Sequence, residues 1–316
     1  MIPSQSQVER FGVGLAALGR PAYINVGRAD ALPEQRTVEA LRERTGVVLD
    51  AAHRHGIRWV DAARSYGSGE EFLAGWLHER GHGDVTVSSK WGYAYVAGWQ
   101  VETEVHEVKE HSVERLRSQW EETTKLLDDR VDLYQVHSLT TDSPLFDDMA
   151  LQHELARLRD SGVQLGFSTS GARQHEAVER GWELEVGGRQ LFSAVQSTWN
   201  TLESSVGRAL AEVHHGGWRV LVKETLANGR LAVRPPEQLA RIAEERGVGP
   251  DAVALAHVLA QPWSDVVLIG PASVAQLESN LQACSVQLTD EEIVELAAVA
   301  GDPATYWGDR AALTWH

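Results

Sequence analysis

Cysteine is nearly absent. Cys284 is the single one in 316 residues, which excludes an intrachain disulfide and any cluster of thiolate ligands. It follows Leu277 and Leu281 at helical spacing, where a small buried apolar side chain fits better than a reactive thiol. Basic residues are also short, with 29 Lys and Arg against 45 Asp and Glu, a formal net charge of −16. That balance argues against a nucleic-acid surface, which needs clustered cations for phosphate, and offers no attraction to anionic lipid. No apolar run of about 18 residues occurs, so no transmembrane helix is expected. Met1–Arg10 is polar and lacks the apolar core of a secretory signal, so a cytoplasmic location is expected. Two motifs are missing as well: no H-E-x-x-H metal spacing appears, and Gly12-Val13-Gly14 through Gly19 does not fit the G-x-G-x-x-G turn of a doubly wound nucleotide fold.

What is present is a regular alternation. Hydrophobic residues make up 43% of the chain, enough for a sizeable core. Short β-branched or apolar runs at Gly12–Ala17, Arg58–Ala63, Val85–Lys90, Asp132–His137, Val163–Thr169, Ala194–Ser197, Val220–Lys223 and Val266–Ile269 read as strands. Several are continuously apolar, the pattern of strands covered on both faces. Segments of helical period separate them. Eight β-then-α units predict an α/β protein, a closed (β/α)8 TIM barrel in one domain over residues 1–316. Two additional helices are expected near the C-terminus: Pro250–Ala260, with proline at its start, and Asp290–Ala298, with a Thr289/Glu292 capping box. The aromatic tail Tyr306–His316 reads as irregular.

In such a barrel the C-terminal strand ends converge on one mouth. Asp61 closes the second strand, Tyr66 lies five residues on, Lys90 ends the third and His137 the fourth. Each alone has an ordinary reading: a cap, a packing ring, a solvated cation, a hydrogen-bonded imidazole. Together they suit carbonyl reduction, where a proton must reach the oxygen as hydride reaches carbon. Tyr is a poor acid near neutral pH, and an ammonium at Lys90, held by Asp61, is expected to lower its pKa. A neutral His137 would orient the carbonyl.

Trp59-Val60-Asp61-Ala62-Ala63-Arg64-Ser65-Tyr66-Gly67 with Glu70, Ser88-Ser89-Lys90 and Tyr134-Gln135-Val136-His137 resemble the signature blocks of the aldo-keto reductases. The resemblance runs in order from Gly12 to the last helix and implies the catalytic set Asp61, Tyr66, Lys90 and His137. It also implies an extended nicotinamide cofactor across the barrel mouth, with NADP(H) favoured and NAD(H) the alternative. Gly166-Phe167-Ser168-Thr169 and Val195-Gln196 through Trp199-Asn200 are similar to the nicotinamide blocks, so the resemblance assigns Ser168, Thr169 and Gln196 to the carboxamide and Trp199 to stacking. Thr169 stands where the family has Asn, and Trp199 where it has Tyr. Leu226, Asn228, Gly229 and Arg230 match the pyrophosphate loop, and Gly270, Ser273, Gln276 and Asn280 the adenosine block. That block lacks the Lys or Arg that pairs a 2′-phosphate.

Tyr23, Trp91 and Trp307 are candidates for the substrate rim, with Asn25, Tyr93, Tyr95, Trp99, Tyr306 and Trp315 nearby. An aromatic mouth suits a small aldehyde or ketone, sugar-like or aromatic, and its alcohol. Lys223, at a strand end, meets either substrate or phosphate, or is simply a solvated or Glu-paired lysine. Arg64 reads as a surface ion pair. Two rival readings share the fold: a cofactor-binding regulatory module, and a barrel isomerase or epimerase using the same acid and base groups without net redox. No nucleic acid or membrane partner is expected, and the oligomeric state is left open.

Overall fold

Eight parallel strands close into a barrel in a computed structural model that describes residues 5–27 and 31–315. They are β1 Phe11–Gly14, β2 Trp59–Asp61, β3 Thr86–Trp91, β4 Leu133–Leu139, β5 Gln164–Thr169, β6 Ala194–Thr198, β7 Arg219–Lys223 and β8 Val266–Ile269. Each pairs with its neighbours in sequence, and β1 pairs with β8 to close the ring. The register sets Gly14 beside Asp61, Asp61 beside Ser88, and Lys90 beside Gln135.

Two layers fill the lower and middle barrel. Trp59, Leu133, Ala194, Leu221, Val266 and Leu268 form a small apolar cluster of their own. Gly12 makes room for it, since a Cβ there would lie 2.8 Å from Leu268 Cδ2 and 3.1 Å from Trp59 Cδ1. Further along the same strands, Asp61, Ser88, Gln135 and Gln196 are buried and bond to one another. The indole of Trp59 links the layers by donating to Ser88 Oγ at 2.9 Å. A polar layer survives inside a protein only when its groups are satisfied, and this one is.

The outer helices pack against the strands through the main core cluster. Their starts carry side-chain caps: Thr37, Ser112, Asp148 and Ser273 each accept from a backbone N–H three residues on. The additional helices form as Pro250–Leu259 and Asp290–Ala297, the second with the expected Thr289/Glu292 box. No helix among the described residues is long and apolar enough to cross a membrane.

Three features differ from the sequence reading. The first strand ends at Gly14, and Leu15–Ala17 turns into a 3-10 helix. The tail is not irregular: Pro303–Ala311 is a helix, with Asp302 accepting from Thr305 N and proline at its first turn. Two antiparallel hairpins also appear, Tyr93–Tyr95 with Glu107–Lys109 and Glu185–Val186 with Arg189–Gln190. Gly187 and Gly188 make the tighter turn, both at positive φ.

Candidate active site

Short β2 ends on Asp61, and the chain then doubles back tightly to present Tyr66. That turn leans on Gly19: a Cβ on Gly19 would lie 2.2 Å from the Tyr66 carbonyl oxygen, so only glycine allows the approach. Ser68 N also donates to the Gly19 carbonyl at 2.8 Å. The catalytic candidates therefore stand on packed backbone.

Lys90 and Asp61 form an ion pair at the barrel centre, both about 2% exposed or less. Asp61 further accepts from Ser88 Oγ at 2.7 Å, Gln196 Nε2 at 3.1 Å and Gln135 Nε2 at 3.3 Å. Lys90 Nζ donates to the Ala62 carbonyl at 3.0 Å and to the Tyr66 hydroxyl at 3.4 Å. His137 stands edge-on to Tyr66, ring centres 5.7 Å apart, with Nδ1 3.4 Å from Ser65 Oγ. The structure thus brings Asp61, Tyr66, Lys90 and His137 together.

The electrostatics match the expectation for one of the two titrating groups. Burial, then the cation at Lys90, holds His137 well below the usual imidazole range, so it is neutral. Tyr66 goes the other way: burial, then the charge of Asp61, raises its hydroxyl well above the ordinary phenol value. Burial and the Asp61 charge thus outweigh the lowering expected from the ammonium of Lys90. A protonated phenol is nonetheless the form that can donate.

These groups open onto a cavity of about 560 Å³ that runs from Asp61, Tyr66, His137 and Gln196 to Gln276 and Asn280. Of the positions assigned by resemblance, Gln196, Leu226, Asn228, Gly229, Gly270, Gln276, Asn280 and Tyr23 line it. Others do not. Ser168 is fully buried with its hydroxyl accepting from Ser138 N at 2.8 Å. Thr169 Oγ1 lies 3.1 Å from Gln174 Oε1, which accepts, and 2.7 Å from the Ser197 hydroxyl, and the next residue, Ser170, reaches the wall instead. Trp199 packs edge-on against His257 and Trp263 on the helix side of the barrel, so it does not stack over the cavity. Trp91 is fully buried beside His111. Ser273 caps its helix, Trp307 packs on Tyr306, and Arg230 lies over the Tyr306 ring at 4.4 Å.

Several wall residues escaped the sequence reading. Arg20 is buried among Tyr23, Tyr66 and Trp315, its guanidinium 4.7, 5.2 and 4.8 Å from their ring centres, and pairs with Glu107 at 2.5 Å. Glu224 receives both guanidinium nitrogens of Arg310, at 2.6 and 2.9 Å. Burial opposes its ionisation, but Lys223 and Arg310 win and hold it at about 2. Lys223 donates to Thr198 Oγ1 at 2.8 Å, and burial lowers its ammonium to about 8. Asp251 reaches the wall beside Asn280. Of these only Lys223 left a trace in the sequence; Arg310 lies in the tail that reads as irregular, and Asp251 in a helix that looks ordinary there.

A nicotinamide dinucleotide fits what the wall offers. Asn25 Oδ1 and Asn228 Oδ1 are buried on this wall with no partner among the described residues, which is costly unless a ligand meets them. Ala227, Asn228 and Gly229 all have positive φ, and the Asn228 carbonyl accepts from Val26 N at 2.8 Å. This strained loop arches against the Asn25–Gly27 segment, and functional sites are where such strain collects.

A parallel barrel with a buried Asp–Lys pair behind a tyrosine defines an oxidoreductase class, and comparison with known proteins gives the same result. The aldo/keto reductase family model matches residues 12–300, and the chain belongs to that family of oxidoreductases acting on carbonyls and alcohols. An aldo-keto reductase of Strobilurus tenacellus is 25% identical, over 98% of this chain and 93% of its own length. Norsolorinic acid reductase of Emericella nidulans is also 25% identical, over 82% and 72%. Among solved structures, glycerol dehydrogenase from Gluconobacter oxydans superposes with a TM-score of 0.68 at 21% identity, covering 92% of this chain and 90% of that one. The holo form of an aldo-keto reductase from Bacillus halodurans gives 0.66 at 21%, covering 93% and 92%. At that identity these structures bear on the fold alone.

Proposed function

We propose that this chain interconverts a small aldehyde or ketone and its alcohol with a nicotinamide cofactor, and that Tyr66 is the proton donor. The observation that carries this is Tyr66 itself: a protonated hydroxyl on the cavity wall, 3.4 Å from an ammonium that Asp61 holds in place. The bound nicotinamide would supply or accept hydride, with NADP(H) the family default and NAD(H) the alternative. Gln196 would meet the carboxamide, Leu226, Asn228 and Gly229 the pyrophosphate, and Gly270, Gln276 and Asn280 the adenosine.

In the reducing direction Tyr66 gives its proton to the substrate oxygen as negative charge develops there. Lys90 then stabilises the tyrosinate left behind, a role for a fixed ammonium in a dry site. His137, uncharged, hydrogen-bonds the carbonyl and sets its angle. The aromatic rim of Tyr23, Tyr93 and Trp315 excludes water and suits sugar-like or aromatic substrates.

The test is turnover of NADPH or NADH with a panel of aldehydes and ketones, for wild type and Tyr66→Phe. Loss of a positioned proton donor is expected to lower kcat about 10²- to 10⁴-fold with cofactor binding retained. Unchanged turnover in Tyr66→Phe would remove Tyr66 from the chemistry, and a tightly bound cofactor with no turnover on any substrate would favour the regulatory reading.

A further inference from the structure

The far end of the groove is walled by two helices, Pro250–Leu259 and Val274–Leu281. Asp251 sits in the first turn of one, and its Oδ2 accepts from Asn280 Nδ2 of the other at 2.7 Å. Its Oδ1 faces Gly249, where a Cβ would lie 2.3 Å away. Pro271, Ala275, Gln276 and Ser279 complete this end, and Gln276 spends its amide oxygen on Ala272 N at 2.8 Å. The cations on the described wall, Arg20, Lys223 and Arg310, contact Tyr66, Thr198 and Glu224 at the catalytic end. The formal charge at the adenosine end, among the described residues, is therefore one negative charge.

An acid in the first turn of a helix often does no more than meet the helix's positive end. Asp251 differs in standing on the cavity wall and in holding the amide of Asn280. We infer that Asp251 is a specificity-determining residue that makes this site select the dinucleotide without a 2′-phosphate, NAD(H) over NADP(H). The inference rests on reading the groove as a nicotinamide cofactor site. A 2′-phosphate would bring about two negative charges to a place with an acid and, among the described residues, no cation to pair them. A ribose hydroxyl in the same place is a donor that a carboxylate accepts, the use acidic side chains serve in other dinucleotide sites.

The experiment is binding, read without turnover. Wild-type protein is titrated with NADH, NADPH, ADP-ribose and 2′-phospho-ADP-ribose, following tryptophan emission or heat. The unphosphorylated member of each pair is expected to bind at least about tenfold tighter. Raising the salt concentration should narrow that gap, since the discriminating contact is a like-charge repulsion. In Asp251→Asn the gap should shrink about tenfold, mainly through tighter NADPH binding. If that variant does not fold, the salt dependence of the wild type decides. Equal or tighter binding of the phosphorylated forms overturns the inference and leaves the groove reading intact. A gap that persists unchanged in folded Asp251→Asn, or at high salt, overturns the assignment to charge at Asp251. Binding of none of the four overturns the groove reading and the inference with it.

Discussion

Lys90 and Asp61 are each tolerable in the barrel only because the other is there. Removing the ammonium leaves a buried carboxylate with three neutral donors and no counter-charge. Lys90→Met should therefore cost about 3–5 kcal/mol of stability in denaturant unfolding, and Asp61→Asn combined with Lys90→Met should recover part of it. Additive losses in the double variant would mean the two groups are not coupled as their contact implies. This grouping was legible from sequence because strand ends in a barrel converge, which sets Asp61, Lys90 and His137 at one mouth with Tyr66 in the loop after the second strand. Thr169 and Trp199 were not legible for a related reason. Successive side chains at a strand end point to opposite faces, and a shift of one residue moves a candidate from wall to packing. Thus Ser170 lines the cavity where Thr169 bonds Ser197. Arg20 and Arg310 carried no signal, since nothing local marks a surface-type residue that the fold will bury.

The loop that presents Tyr66 is held by three glycines rather than by its own length. Gly19 meets the Tyr66 carbonyl, Gly67 has a φ of 57° with a Cβ that would strike the Gly19 carbonyl at 2.5 Å, and Gly69 closes the contact. Gly19→Ala has backbone on every side and nowhere to move. It should cost about 1–3 kcal/mol, a fall in Tm of about 2–6 °C, and lower kcat because Tyr66 shifts with its carbonyl. Gly46→Ala is the control: it lies inside the Val38–Arg54 helix, and its Cβ would meet nothing within 4 Å. There alanine should raise stability by about 0.5–1 kcal/mol. Equal effects at the two sites would deny the Gly19 contact any special role. At this scale most of the fold was readable, because all eight strands lie within a few residues of their apolar runs. The tail helix was hidden by its aromatic composition, although Asp302-Pro303 is a recognisable start. The Tyr93–Tyr95 hairpin was hidden because two of the three residues of its partner strand, Glu107–Lys109, are charged.

Over the whole molecule, buried histidines set how the barrel meets acid. His111 Nε2 donates to the His137 carbonyl at 2.9 Å and its Nδ1 meets Ser143 Oγ at 2.7 Å, and burial lowers the ring to about 4. His257 bonds Thr201 Oγ1 at 3.1 Å and is likewise lowered by burial to about 4. His137 lies well below the ordinary range for the same first reason. In the unfolded chain each takes a proton near pH 6.5, while the folded chain resists until about pH 4 or lower. Between those values the unfolded state binds more protons, so stability is full above pH 6.5 and is lost as pH falls toward 4. A shift from 6.5 to about 4 is worth up to about 3 kcal/mol for His111 and the same for His257. Together these two reach the low end of the whole stability of an ordinary domain, about 5–15 kcal/mol, and His137 acts in the same direction. Unfolding free energy measured in denaturant should therefore drop steeply between pH 6.5 and 4.5, before most carboxylates titrate. His257→Gln, which keeps a neutral side chain of similar reach far from Tyr66, should flatten that slope by its share, about one proton over the interval. A stability curve level down to pH 4.5 would mean the barrel opens locally around these rings and lets them protonate in place.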